Sequence, residues 1–264
     1  MAMVAEMRRF VVAVGLALVG FAPVEVRAGE ARCWTDKGVV VVAAALGDIA
    51  GDFILDLSAP HSQLHETTAQ AAGLTGPTVS APLQLAGETA PADFAVTDLD
   101  ARGWGFPTNI AGVIGQDALG GYEVELRFYP CRLTLRPSRG RPPSKGVPIQ
   151  RTDGVPTVIA TLSDGTRSVR GRFAIDTGTA GVRVSDTIAM LDETPKGVDP
   201  NARTDQPARI AGVEFTGRLL SNAPASLETQ APSGLVGSLG DVVWFRYAWL
   251  RLSSGRLELG PAVR

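Results

Sequence analysis

Histidine and cysteine are both scarce in this sequence, at two residues each among 264. A four-cysteine zinc site or a disulfide-dense scaffold needs more cysteine than that. A mixed His/Cys metal enzyme would use nearly the whole supply on one centre. Excess charge of one sign is missing too: 25 basic residues stand against 27 acidic ones, with a pI near 5.8, so there is no basic footprint for nucleic acid. The apolar run Phe10 to Ala22 is too short for the roughly 20 residues of a membrane-spanning helix. No Gly-x-Ser-x-Gly elbow, Walker loop or dinucleotide fingerprint occurs. What is present is 45% hydrophobic residues, 30 Gly, 18 Pro and a mean hydropathy of +0.11. That excludes disorder, which needs low hydrophobicity and high net charge, and points to a β-dominated globular protein long enough for one large domain or two smaller ones.

Residues 1–28 have the layout of a secretory signal: basic Arg8 and Arg9, the apolar stretch Phe10 to Ala22, then Val26-Arg27-Ala28 with small residues at −3 and −1 of the cut. An uncleaved anchor is the competing reading. Glu30 and Arg32 exclude a lipobox before Cys33. The expected mature protein is periplasmic or secreted, with no stable membrane insertion. Cleavage would move the formal charge from −2 to −3 by removing Glu6, Arg8, Arg9, Glu25 and Arg27. In an oxidising compartment the even pair Cys33 and Cys131 is expected to form one disulfide, closing a loop of about 100 residues worth about 4–5 kcal/mol in the chain-entropy picture.

The chain repeats itself. Phe53-Ile54-Leu55-Asp56-Leu57-Ser58-Ala59 is echoed by Phe173-Ala174-Ile175-Asp176-Thr177-Gly178-Thr179, and Gly112-Val113-Ile114-Gly115 by Gly234-Leu235-Val236-Gly237. The closing segments Glu123–Phe128 and Arg132–Leu135 are echoed by Tyr247–Leu252 and Arg256–Leu259. The offset drifts only from 120 at the aspartates to 122 at the glycines and 124 at Leu133 and Leu257. The expected layout is an N-terminal lobe over 29–136, a Pro- and Arg-rich linker over 137–146 and a C-terminal lobe over 147–264. In each lobe a β-branched run (Val39–Ala45, Val155–Leu162) precedes a turn at Gly51-Asp52 or Asp164-Gly165, then a short apolar strand of a buried sheet. The clearest helix signal is Ser62 to Ala72. Leu83–Phe94 and Arg209–Leu220 read as hairpins, the first as a candidate flap over a cleft.

Asp176-Thr177-Gly178-Thr179 after an apolar strand, with apolar-apolar-Gly about 60 residues on, resembles the aspartic proteases of the pepsin and retropepsin type. Asp56-Leu57-Ser58-Ala59-Pro60-His61-Ser62-Gln63-Leu64 is similar to a degenerate Asp-Thr-Gly element, and Gly112 to Leu119 looks like the Gly-Ile-Leu-Gly-x-Asp-x-Leu segment of bacterial retropepsin-like proteins. The resemblance implies an all-β, two-lobed, single-chain fold, monomeric, with a peptide or protein substrate and no cofactor. It implies a catalytic pair, Asp56 and Asp176, supported by Ser58, Thr177, Gly178 and Thr179. Two carboxylates a few Å apart cannot both ionise cheaply, so one pKa rises and the pair shares a proton. The ionised member takes a proton from water and the protonated one donates to the carbonyl oxygen.

Leu57 departs from the pattern. It has no hydroxyl to bond across the lobes, so Thr177 is expected to lack its mate, at a cost of about 1–3 kcal/mol for an unpaired buried hydroxyl. Two functions therefore stay open: an aspartic-type endopeptidase, and a peptide- or protein-binding module with a damaged pair. The retained carboxylates favour the enzyme, and the fused repeat disfavours a homodimer that would pair Asp176 with its own copy. His61 and His65, four apart without the Glu or third ligand of a zinc motif, read as surface or capping residues. Asp117 reads as a turn residue with no counterpart at Leu239. Trp104 and Phe106 are candidate cleft aromatics.

Overall fold

The computed structural model describes residues 29–138, 140, 145–163, 168–185, 208–209, 212–215, 218–221, 224–228 and 234–263. Expectations for 1–28, and for Asp164-Gly165, lie outside them. The first half contains β1 (Glu30–Asp36), β2 (Val39–Leu46), β3 (Ile49–Leu55), β4 (Gln63–His65), α1 (Glu66–Ala71), β5 (Thr78–Leu85), β6 (Glu88–Thr97), α2 (Asp100–Gly103), β7 (Ile110–Ile114), α3 (Gln116–Leu119), β8 (Tyr122–Phe128) and β9 (Cys131–Pro137). The second contains β10 (Val147–Pro148), β11 (Gln150–Thr152), β12 (Val155–Ser163), β13 (Ser168–Ile175), β14 (Val182–Ser185), β15 (Ala208–Arg209), β16 (Gly212–Phe215), β17 (Arg218–Ser221), β18 (Pro224–Glu228), β19 (Gly237–Leu239), α4 (Asp241–Trp244), β20 (Trp249–Ser253) and β21 (Arg256–Leu259).

Each half is organised around the same four-strand motif. β3 runs parallel to β7, which is antiparallel to β4, which is parallel to β6. β13, β19, β14 and β18 repeat those three relationships in the same order. In the first half β5 also pairs with β2, so the sheet curls back on itself into a barrel around Phe53, Leu55, Leu64 and Phe94. The all-apolar β7 is buried on both faces throughout, and the all-apolar β2 over its first half, Val39 to Val42.

A shared sheet joins the halves. β20 lies antiparallel to β8, with Arg251 opposite Glu125, and the sheet continues through β9 to β1 and, on the other side, through β21 to β10. Glu125 is buried there and its carboxylate accepts hydrogen bonds from Arg127, Arg136 and Arg251. Three guanidiniums hold its pKa below the usual carboxylate range against the upward push of burial. Cys33 on β1 and Cys131 on β9 form a disulfide across a sequence separation of 98.

The structure departs from the sequence signals in three places. Gly51-Asp52 lies inside β3 and the turn falls at Gly47-Asp48. Gly51 is required where a side chain would press to 2.9 Å of the Ala111 Cβ on β7, so the glycine serves strand packing and not the turn. The helix signal of Ser62 to Ala72 splits, because Gln63–His65 are recruited as a strand between β6 and β7 and only Glu66–Ala71 is helical. The β5–β6 hairpin is no flap. Leu83 pairs with Leu46 and the Gly47 N–H donates to the Pro82 carbonyl, at the end of β2 about 20 Å of strand away from Val40, whose N–H bonds Thr177.

Candidate active site

Two strands with buried ends, Phe53 to Leu55 and Phe173 to Ile175, deliver two aspartates to one place. β3 ends at Leu55 and β13 at Ile175, and the next residue in each is pinned alike: the Asp56 N–H donates to the Ile114 carbonyl and the Asp176 N–H to the Leu239 carbonyl, each at 3.0 Å. Both side chains are almost wholly buried, at 3% and 2% exposure. They meet at Gly178. Its N–H donates to Asp176 Oδ1 at 2.9 Å, and a Cβ built on it would lie 2.5 Å from Asp56 Oδ2. Only a residue without a side chain fits between the carboxylates.

Thr177 ties the lobes together in a way the sequence reading missed. Its hydroxyl donates to the Leu55 carbonyl at 2.7 Å and accepts from the Leu57 N–H at 3.1 Å, while its own carbonyl accepts from the Val40 N–H. The expectation of an unpaired hydroxyl was wrong because the partners are backbone groups, which Leu57 supplies as well as any residue. The Leu57 side chain is fully buried in the apolar core.

The two carboxylates have different surroundings. Asp56 Oδ1 accepts from the Ser58 N–H (2.8 Å), the Ser58 hydroxyl (2.6 Å) and the Ala59 N–H (3.2 Å), and Oδ2 accepts from Arg102 Nη2 at 2.7 Å. Asp176 accepts from the Gly178 N–H on Oδ1 and from the hydroxyls of Thr179 and Ser238 on Oδ2. Burial pushes both pKa values up. At Asp56 the Arg102 charge and the Ser58 and Arg102 hydrogen bonds outweigh burial and hold the carboxyl below its ordinary value. At Asp176 burial and the neighbouring Asp56 charge outweigh three donors, and its pKa rises to about 6. The pair titrates as one system in which, below about pH 6, Asp56 is the anion and Asp176 carries the proton.

Ser58, Thr177, Gly178 and Thr179 therefore all contact the pair or its supporting loops. Two further participants, Arg102 and Ser238, escaped sequence reasoning. Ser238 had a findable signal. Phe53 pairs with Gly112 as Phe173 pairs with Gly237, so Gly112-Val113-Ile114-Gly115 corresponds to Gly237-Ser238-Leu239-Gly240 and not to Gly234–Gly237. That register sets Ser238 opposite Ala174, beside the second aspartate. By the same register Asp117 corresponds to Val242; its turn role stands, and a residue of like role lies one position before Val242. The Asp117 carboxylate accepts from the Ser62 N–H and hydroxyl, and Asp241 plays the same part in the second lobe by accepting from the Gly181 N–H. Arg102 had no motif; it lay in a stretch noted only for its aromatics.

Of those aromatics, Phe106 packs edge-on against Trp34, whereas Trp104 is 82% exposed. His65 is buried at the N-cap position of α1, where its side chain makes no cap hydrogen bond, contrary to the surface or capping reading; its Nε2 lies 3.1 Å from Asp100 Oδ1. His61 is exposed beside Asp117. Among the described residues His65, Asp98 and Asp100 form one group whose ligand atoms lie within 4.8 Å of one another, with both aspartates exposed.

No protein-family model matches the chain, and no curated protein matches it in sequence. Among solved structures, the crystal structure of the aspartic proteinase from Irpex lacteus aligns with a TM-score of 0.50, covering 89% of this chain and 97% of that one at 12% identity. The fold is that of a two-lobed, pepsin-like aspartic proteinase. At that identity the likeness is one of architecture alone, and it does not extend to the bacterial retropepsin-like group that Gly112 to Leu119 resembles.

Proposed function

We propose that this chain is an exported, monomeric aspartic-type endopeptidase. The observation that supports it best is the convergence of Asp56 and Asp176 at Gly178 with opposite protonation preferences, one a stabilised anion and the other a buried acid with a pKa near 6. A substrate peptide would lie extended between the lobes, held by backbone hydrogen bonds with side-chain pockets setting preference. Water attacks the scissile carbonyl carbon as Asp56 takes one of its protons and Asp176 gives its own to the carbonyl oxygen. The resulting diol collapses as Asp56 passes its proton to the amide nitrogen, the C–N bond breaks, and a diol hydroxyl returns a proton to Asp176. Both carboxyls end as they began, and the products are a carboxylic acid and an amine.

The test is cleavage of a denatured, alkylated protein, mapped by mass spectrometry, by wild type, Asp56→Asn and Asp176→Asn. Loss in both variants supports the pair, while activity surviving Asp56→Asn removes the first lobe from the mechanism. One observation favours a second reading, a peptide-binding module without turnover: Arg102 already occupies Asp56 Oδ2. Peptide binding with no cleavage at any pH would select it.

A further inference from the structure

Asp56 Oδ2 is the atom that must receive a proton from the attacking water, and a side chain of the same chain sits on it. Arg102 Nη2 lies 2.7 Å from Asp56 Oδ2 and 3.3 Å from the Gly178 carbonyl oxygen, so one nitrogen bridges the loops of the two lobes. The same nitrogen is 2.7 Å from where a Gly178 Cβ would be, in the gap between the carboxylates. The other Asp56 oxygen is already saturated by three donors from Ser58 and Ala59. With the guanidinium in place, Oδ2 keeps one acceptor site, but a cation stands over it in the gap between the carboxylates, and a peptide bond meets that cation in its path.

The segment that carries Arg102 is anchored at its ends and lightly held between them. Leu99 is buried in a small apolar cluster with Ile54, Ile110 and Val113, and Phe106 packs on the same cluster. Between these anchors α2 is a single turn, Gly105 has φ +73°, and Trp104 projects into solvent. The carbonyls of Trp104 and Gly105 accept from one exposed side chain, Lys37, whose Nζ lies 3.1 and 2.8 Å away. Asp100 adds its contact to His65. A short arch with glycines, few buried contacts and exposed hydrogen bonds belongs to the low-stability end of a fold, where local opening is easiest.

We infer that Arg102 is an intramolecular gate: it occupies the position of the scissile bond in the resting protein, and the arch over residues 100–105 must lift it from Asp56 before a peptide can bind productively. The inference rests on the reading of Asp56 and Asp176 as the reacting pair. A gate of this kind competes with substrate. If the open form is a minor fraction, apparent affinity falls by that fraction, and turnover of the bound complex is unaffected.

The experiment compares wild type, Arg102→Ala and Lys37→Ala for KM and kcat on a quenched-fluorescent peptide. In parallel it measures binding of a hexapeptide whose scissile amide is replaced by a non-cleavable hydroxyethylene group. The expected result is a KM about tenfold or more lower in Arg102→Ala, and a smaller drop, about two- to fivefold, in Lys37→Ala with kcat within about threefold of wild type. The hydroxyethylene peptide should bind tighter in the same order. A folded Arg102→Ala that loses kcat and binds the hydroxyethylene peptide no more tightly overturns the gate and makes the arginine catalytic. Unchanged KM and unchanged binding also overturn it, while leaving the peptidase intact. Tighter binding in the variants with no cleavage by any of the three upholds the gate and sinks the peptidase reading. Should Arg102→Ala not fold, Lys37→Ala leaves the carboxylates untouched, and its failure to lower KM or tighten binding is decisive against the gate.

Discussion

Activity should be confined to acidic pH, with its upper limb near 6. The hydrolytic step needs Asp56 ionised and Asp176 protonated. Asp56 is held below its ordinary value by Arg102 and Ser58, so it stays ionised through the acidic range, and its protonation sets only the low-pH limb. Asp176, raised to about 6 by burial and the Asp56 charge, sets the other. With that value about 90% of molecules carry the Asp176 proton at pH 5 and about 10% at pH 7, so kcat/KM should fall roughly tenfold between them. The same ionisation acts on the fold. Asp176 binds its proton more tightly folded than unfolded, so its contribution to stability is intact below pH 4 and is lost as pH rises from 4 through 6. The raised value corresponds to as much as about 3 kcal/mol, the cost of holding a buried anion beside another. Asp176→Asn should therefore gain stability over wild type at pH 7 and not at pH 4, because the Thr179 and Ser238 hydroxyls can turn to accept from the new amide. The assays are kcat/KM on a quenched-fluorescent peptide from pH 3 to 8, and urea unfolding of both proteins at pH 4 and 7. Activity that stays flat through pH 7.5, or an Asn variant less stable than wild type at pH 7, would refute the reasoning.

Thr177→Val keeps shape but strips partners from the Leu55 carbonyl and Leu57 N–H, so unfolding in urea should show a loss of about 2–4 kcal/mol, and a loss under 0.5 kcal/mol would deny the cross-lobe tie. Gly178→Ala drives a methyl to 2.5 Å of a carboxylate fixed by several hydrogen bonds; cleavage should drop about 100-fold or more while far-ultraviolet circular dichroism stays unchanged. Ser238→Ala removes one donor that favours the Asp176 anion, so the upper limb of the activity profile should move up by about 0.5–1 pH. Replacing Cys33 and Cys131 together by Ser frees a 98-residue loop and should cost about 4–5 kcal/mol in urea unfolding of the oxidised protein.

How much of this was legible in the sequence depends on whether a feature is local. Asp56 and Asp176 were visible because each follows an apolar triplet that ends a strand, and the triplet's burial is what carries the carboxylate inside. β2, β12 and the β8–β9 and β20–β21 hairpins were visible for the same reason: a run of β-branched or alternating residues expresses its environment in its own composition. The errors came where a distant partner decides. Gln63–His65 has the composition of a helix start, and became a strand because β6 and β7 leave a slot between them. Gly51 looked like a turn residue, yet its purpose is the approach of Ala111 from a strand sixty positions away.

Arg102 is the extreme case, and it shows why a site is harder to read than a fold. Guanidinium–carboxylate pairs form between elements unrelated in sequence, and an arginine beside Gly103 and Trp104 carries the same local signal whether it faces solvent or a buried acid. What gives Arg102 its meaning is Asp56, 46 positions earlier, and the fact that Asp56 is already saturated on its other oxygen. In the resting protein this placement, together with the Ser58 donors, makes the ionisation of the pair unequal. With it, the first lobe owns the charge and the second the proton. The departure at Asp56-Leu57-Ser58 is thus no sign of decay in itself: Leu57 still provides its backbone to Thr177, and Ser58 turns two donors onto the carboxylate that Arg102 holds ionised.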